Sequence, residues 1–377
     1  MAYKNTSLLF IFIFYCTFGH AQWKLMDKNA TRETKKLFHS LKKIQKKGTI
    51  FAHQHATEYG RGWVGDDDRS DVKSVVGTHP GMIGVDFKDF TGKDSEKHKI
   101  RLKKIVQDAY NRGSIITVAW HFYNPVGPGG FYWRDSISTP VVRRLIPNGD
   151  AHEKYKDILD GIAEWANSCR GINGELIPMI FRPYHEFDGD WFWWGKPHCT
   201  VDEFKTLWKF TASYLRDKKN VHNFIWAFSP DNKFNNEEEY LERYPGDEWV
   251  DMVGMDNYAD LGRDQYDLDT AHKKLKIVSD YAIKKKKLAA FTETGLESIP
   301  NTTWWTETLL NLIKSDALRL SYVLVWRNDS RSDTHYYAPH PGHESVPDFM
   351  KFYQDKFTWF ENDLAKKNVY KKRKGKR

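Results

Sequence analysis

Cysteine is nearly missing from this chain: three in 377 residues, Cys16, Cys169 and Cys199. A disulfide-dense scaffold is therefore excluded, and beyond the leader described next only Cys169 and Cys199 remain, enough for a single bridge. Long apolar runs are equally scarce. The one present, Leu8 to Phe18, follows Lys4 and precedes the small residues of "GHA", the layout of a secretory signal peptide with cleavage expected after Ala21. The run is short for a membrane span. Tyr15 before Cys16 does not match the small residue a lipoprotein site prefers, and no later stretch is apolar enough to cross a bilayer. An exported, soluble, monomeric protein without a membrane span is expected.

A basic body is missing too. The net charge is +8, yet Lys366, Lys367, Lys371, Lys372, Arg373, Lys374, Lys376 and Arg377 supply all of that excess in a tail that holds no acid. The body is close to neutral, which argues against a nucleic-acid partner and fits an uncharged substrate. Residues 366–377 read as a solvated, disordered appendage. No internal repeat, linker or composition break divides residues 22–365, so one catalytic domain is expected there.

What the chain does contain is a regular alternation. Eight β-rich segments recur at 49–56, 81–87, 114–122, 177–186, 222–230, 251–259, 288–295 and 322–329. Their apolar halves are nearly continuous, as expected of parallel strands buried on both faces. Helical patterns lie between them. "DSEKHKIRLKKIVQDAYNRG" closes on a glycine, "TVDEFKTLWKFTASYLRDKK" opens with Thr200 and Glu203 at capping-box spacing, and "LDTAHKKLKIVSDYAIKKKK" ends in lysines suited to a helix C-terminus. "GDDDRSDVKSVVGTH" is a weak helix, and "VPDFMKFYQDKFTWFENDLAKK" reads as the helix that closes the fold. Eight β/α alternations predict an α/β fold, a single (β/α)8 TIM barrel whose functional residues sit at the C-terminal strand ends.

Those strand ends carry residues that a core would not select: His53 and His55, Asp86, Trp120 and His121, His185 and Glu186, Asp231, Asp256 and Tyr258, Glu293, then Trp326 and Arg327. One such residue is commonly structural; the coincidence at eight strands points to a site. Glu186 ends the fourth segment and Glu293 the seventh, so the barrel can set them on opposite sides of one pocket. Paired carboxylates across a pocket suit glycoside hydrolysis, in which one protonates the leaving oxygen and the other attacks the sugar or activates water. Glu186 lies in "RPYHEFDGDWFWWG", where aromatic packing would keep a carboxyl protonated and indole faces could carry pyranose rings. A structural alternative pairs Glu186 with Arg182 and buries the tryptophans in the core.

Two other classes compete. "HQH" at the first strand has the H-x-H spacing of metal-dependent barrel hydrolases, but "AFSPD" and "GMDNY" bring no histidine to the fifth and sixth strands, although Asp329 could serve at the eighth. No metal and no cofactor are expected. A carbohydrate-binding protein would use the aromatic cleft yet has no need of two carboxylates. "HPGHES" near residue 340 reads as a solvated loop.

The segments "TVAWHFYNP", "LIPNGDAHEKYKDILDGIAEW", "MIFRPYHEFDGDWFWWG", "EEYLERYPGDEWVDMVGMDNY", "FTETG" and "VLVWRND" resemble glycoside hydrolase family 26 over most of residues 22–365. That resemblance implies a retaining enzyme acting by double displacement, with Glu186 as acid/base and Glu293 as nucleophile. It implies that Tyr258 hydrogen-bonds the nucleophile and that Trp326 underlies the sugar at the cleavage point, with Arg327 beside it. His185 stands where many relatives in the clan carry Asn. By resemblance it touches the sugar or orients the nucleophile. His121, Trp191, Trp133 and Phe228 match subsite contacts. The implied substrate is β-1,4-mannan or manno-oligosaccharides, cleaved internally; an exo-acting mannobiohydrolase and a β-glucanase or xylanase are the alternatives.

Overall fold

A computed structural model describes residues 22–91, 94–135, 139–367 and 369–370. The expected leader, and the tail beyond residue 370, lie outside them. Eight parallel strands form the barrel: β1 (Thr49–Gln54), β2 (Met82–Asp86), β3 (Ile115–Trp120), β4 (Met179–Pro183), β5 (Phe224–Phe228), β6 (Met252–Asp256), β7 (Leu288–Thr294) and β8 (Tyr322–Val325). Each pairs with its sequence neighbours, and β8 closes on β1 through Ile50 opposite Tyr322 and His53 opposite Val325. This is the (β/α)8 TIM barrel expected from the alternation.

Alternate residues of each strand serve two cores, because successive side chains leave a strand on opposite faces. Ile50, Met82, Ile115, Ile180, Ile225, Leu288 and Leu324 fill the barrel interior. Phe51, Ile83, Val118, Phe181, Trp226 and Val253 pack outward against the helices. The helix Arg32–Ile44, unremarked in the sequence pattern, joins the interior cluster through Leu37, Phe38 and Leu41 and so covers the N-terminal end of the barrel. It is held by Thr31, whose side chain accepts from the Thr34 N–H.

The helices Ser95–Arg112, Val201–Ser213 and Leu268–Lys285 occupy the positions expected. Gly113 ends the first in the left-handed conformation, and Thr200 with Glu203 forms the complete capping box of the second. The weak pattern after β1 gives a six-residue helix, Asp71–Val76. The closing helix is a correction. It is two helices, Val346–Gln354 and Glu361–Lys367, separated by Thr358–Trp359, which adds as a ninth strand beside Thr49 and Ile50 of β1. The β-branched and aromatic residues of "KFTWF" override the helical periodicity on either side.

Towards the C-terminal ends of the strands the inward positions become polar: Gln54, Thr117, Arg182 and Thr292 are all buried. Gly254 leaves room for this layer, since a Cβ there would fall 2.5 Å from Thr292 Cγ2. The apolar plug below and the polar layer above define the floor of a cleft at the strand C-termini.

Candidate active site

Glu186 leaves β4 through a turn in which Tyr184 and Glu186 both take positive φ, 49° and 54°. Side chains seldom adopt that region, at a cost of about 1–3 kcal/mol each. Two anchors impose it. The Tyr184 hydroxyl is tied into the helix layer by Tyr155 and by Thr211 at 2.9 Å, and the Glu186 N–H donates to the Ser229 carbonyl at 3.0 Å. The Glu186 carboxyl then faces the cleft and accepts from the Trp191 indole N–H at 2.7 Å. Burial drives its pKa well above the ordinary carboxyl value, reinforced by the charges of Glu293, Asp231 and Asp256; the Trp191 bond opposes that rise.

Glu293 reaches the same cleft through an irregularity in β7. Met255 pairs with Phe291 but Asp256 pairs with Glu293, so β7 carries one residue more than β6 at Thr292. The Glu293 carboxylate accepts from the Tyr258 hydroxyl at 2.8 Å and from one Arg182 guanidinium nitrogen. The other Arg182 terminal nitrogen donates to Asp256 at 2.5 Å, and Thr292 donates to the second Asp256 oxygen at 2.7 Å. Arg182 therefore serves Asp256 and Glu293, and among the described residues Glu186 forms no ion pair. One oxygen each of Glu186, Asp256 and Glu293 lies within 4.8 Å of the others. Such a trio has the composition of a cation site, but the Arg182 guanidinium already pairs with two of its members.

A third network crosses from β2 to β4. Asp86 accepts from the His121 backbone N–H at 3.0 Å and binds His121 Nδ1 at 2.5 Å. Burial alone would raise the Asp86 pKa, but His121 outweighs it and holds the carboxylate below its usual range. His121 Nε2 lies 3.2 Å from His185 Nε2. Burial, and then the charge of Arg182, push His185 well below the ordinary imidazole value, so it is neutral. The two rings share one hydrogen bond between these nitrogens. His185 Nδ1 is buried and without a partner among the described residues.

Residues 26–362 match the profile of Glycosyl hydrolase family 26. The chain belongs to that family. A mannan endo-1,4-beta-mannosidase of Bifidobacterium adolescentis is 33% identical over 352 residues, which cover 87% of this chain and 34% of that protein. The chain thus spans about a third of that relative's length. Among solved structures, a GH26 beta-mannanase from Bacteroides ovatus superposes with TM-score 0.85 at 40% identity, over 92% of this chain and 99% of that one. A modular endo-beta-1,4-mannanase from Cellulomonas fimi gives TM-score 0.82 at 33% identity, over 91% and 78%. The chain is thus similar to mannanases of that family.

In this family 26 barrel the expected site residues separate into two groups. Glu186, Glu293, His121, His185, Tyr258 and Trp191 converge through the bonds above. Trp326 leans on His121 at 5.6 Å between ring centroids, and Arg327 pairs with Asp329 at 2.6 Å and lies over the Tyr59 ring. Trp133 joins the rim: its N–H donates to the Trp191 carbonyl at 2.7 Å, and its ring stacks on His198. Phe228 does not fit its expected place. It is fully buried among Phe187, Trp208, Tyr240 and Tyr244 and offers no surface to a sugar. The aromatic run is likewise divided. Trp191 faces the cleft, whereas Phe192, Trp193 and Trp194 are buried, and Trp194 spends its N–H on the His185 carbonyl.

The histidines of "HQH" do not converge on a common centre. His55 binds Glu58 at 2.6 Å, and His53 is buried beside Asp71 with burial lowering its pKa to about 4. Among the described residues neither belongs to a group of three close His, Cys, Asp or Glu ligands. Cys169 and Cys199 are both buried and unbridged. Asp256 and Asp86 stand among the strand-end residues expected at the site but with no role assigned, and Arg182 enters only in the structural alternative. Their inward parity on β4, β6 and β2 was the available signal.

Proposed function

We propose that this chain is an exported, retaining endo-β-1,4-mannanase, with Glu186 as acid/base and Glu293 as nucleophile. The observation that carries the reading is the approach of the two carboxyl groups, with oxygens within 4.8 Å, in unlike surroundings. Retaining glycosidases hold this pair about 5–5.5 Å apart; inverting ones leave about 6.5 Å or more for a water. Glu186, kept protonated by burial and neighbouring charge, donates to the departing glycosidic oxygen. Glu293, bonded by Tyr258 and Arg182, attacks the anomeric carbon to give a covalent glycosyl-enzyme. Glu186, now ionised and stabilised by the Trp191 N–H, takes a proton from water, which releases the sugar with net retention. Neutral His185, with its free Nδ1, hydrogen-bonds a sugar hydroxyl at the cleavage point.

Mannan as substrate is supported by family membership and by the names of the relatives; the apolar leader supports export. Proton NMR of fresh product from linear β-1,4-mannan should show the β-anomer first, together with a ladder of manno-oligosaccharides. An initial α-anomer overturns retention, and mannobiose as sole early product replaces endo with exo action. Glu186→Ala should lose about 10²–10⁴-fold on mannan while sparing glycosylation by an aryl mannoside with a good leaving group. Equal loss on both overturns the acid assignment. Recovery from culture medium of a chain starting at Gln22 tests export.

A further inference from the structure

Two motif residues have no part in the proposed mechanism: Gly295 of "FTETG" and Asn328 of "VLVWRND". Both act on one side chain, Tyr337, in the loop after β8. Asn328 is 1% exposed. Its Nδ2 donates to Asp71 at 2.7 Å and to the Ala338 carbonyl at 2.9 Å, and its Oδ1 accepts from the Tyr337 and Ala338 N–H groups at 2.8 and 2.9 Å. A carboxylate only accepts and a backbone N–H only donates, so this amide has one orientation and the Tyr337 backbone one place. Gly295 then makes room for the ring. It takes φ +139°, and a Cβ there would fall 2.6 Å from Tyr337 Cδ1. His335, bonded to Glu297 at 2.6 Å, meets the same ring with centroids 5.3 Å apart and planes at 79°.

The Tyr337 ring in turn meets the Tyr258 ring edge to face, with centroids 5.8 Å apart and planes at 74°. Tyr258 donates its hydroxyl to Glu293 at 2.8 Å. That hydroxyl is the side-chain atom farthest from the backbone, so a small turn about Cα–Cβ displaces it most, and a hydrogen bond weakens steeply once bent. The other group against the Tyr258 ring, Arg263 at 5.8 Å, is half-exposed and paired with Asp264, whereas Tyr337 is buried. We propose that Tyr337 is a positioning residue: seated by Gly295 and Asn328, its ring holds the Tyr258 hydroxyl on the Glu293 carboxylate. The proposal rests on reading Glu293 as the nucleophile. The ring, and not the Tyr337 hydroxyl, carries the effect, which separates this role from a sugar contact.

The test is the rate at which a 2-deoxy-2-fluoro-manno-oligoside with an activated leaving group labels the chain, with mass spectrometry of the digest to locate the label. The leaving group departs without protonation, so labelling reads the nucleophilic attack alone. Tyr258→Phe deletes the hydroxyl and sets the largest loss available through it. Tyr337→Ala should slow labelling about tenfold, with the half-saturating concentration little changed, and Tyr337→Phe, which keeps the ring, should rescue the rate. Added to Tyr258→Phe, Tyr337→Ala should cost nothing more, because it acts through a hydroxyl already gone. An unchanged rate in Tyr337→Ala, an equal loss in Tyr337→Phe, or losses that multiply in the double variant each overturn the proposal. Should Tyr337→Ala not fold, Tyr337→Leu, which keeps most of the volume but has no ring, is read in the same way. A label on a residue other than Glu293 sinks the nucleophile reading, a different failure from a label on Glu293 acquired at an unchanged rate.

Discussion

Thr292 and Glu293 are consecutive residues of β7, and both side chains reach the same cluster of charges at the mouth of the barrel. Thr292 donates to Asp256 at 2.7 Å, while Glu293 accepts from Arg182, which also binds Asp256. A regular strand would send one of them outward to the helices. The extra residue in β7 opposite β6 removes that restriction, and the mismatch recurs opposite β8, where Val323 pairs with Phe291 but Val325 with Thr294. Asp256 thereby obtains two donors, and Glu293 is aimed across the cleft at Glu186.

Thr292→Val keeps the shape of this strand and removes one donor from a buried carboxylate. Such a loss costs about 1–3 kcal/mol, to be read from urea unfolding at neutral pH. kcat on mannan should fall with KM little changed, because the slack falls on Glu293. Thr292→Ser should restore both, whereas an equal effect of Ser and Val would point to packing of the methyl group.

Arg182→Met is the harsher change. Arg182 is buried and bonded to both Asp256 and Glu293, so the variant strands two carboxylates without their cation. Breaking a buried pair from one side costs about 3–5 kcal/mol. Acidification should narrow the gap from the wild type, because protonation discharges the stranded groups. A gap that stays constant between neutral and acid pH would mean that the loss is packing alone.

The sequence alone revealed the barrel because parallel strands covered on both faces leave apolar runs that alternate with amphipathic helices. Glu186 and Glu293 were legible for the same reason, as carboxylates at strand ends that the barrel sets in one ring. The bulge at Thr292 was invisible, since an added residue changes pairing without changing composition. The structural alternative, Arg182 paired with Glu186, fails because inward parity on β4 directs Arg182 to Asp256 and Glu293. The resemblance implies a sugar contact at Phe228, but its position on β5 turns it towards the helices. Of "WFWW", only the first ring escapes the core, a matter of turn geometry that no local pattern encodes.

Glu58 links acid stability to the rim of the cleft. Burial alone would raise its pKa, but His55 at 2.6 Å and Arg101 at 2.7 Å outweigh that and lower it to about 2. Its folded value lies below the unfolded one, so the stabilisation is complete above about pH 4.5 and is lost as pH falls towards 2. The amount is of order 1–3 kcal/mol. Urea unfolding at pH 7, 5 and 3 should show Glu58→Gln less stable than the wild type at the first two, with the gap reduced to about half or less at the third. A gap that persists unchanged at pH 3 would show that the bonds, and not the charge, carry the stability.

Trp191→Phe separates the two influences that the aromatic run exerts on Glu186. The indole covers the carboxyl, which favours the protonated form, and its N–H donates to it at 2.7 Å, which favours the ionised form. Phenylalanine retains most of the cover and deletes the donor. The Glu186 proton affinity should therefore rise and the alkaline limb of kcat/KM move to higher pH. The second half-reaction should suffer more than the first, since it needs Glu186 ionised; with an activated aryl mannoside the covalent intermediate should accumulate and give a burst. A limb that moves to lower pH would mean that lost cover outweighs the lost bond. In that case desolvation by Trp191, rather than its hydrogen bond, sets the state of Glu186.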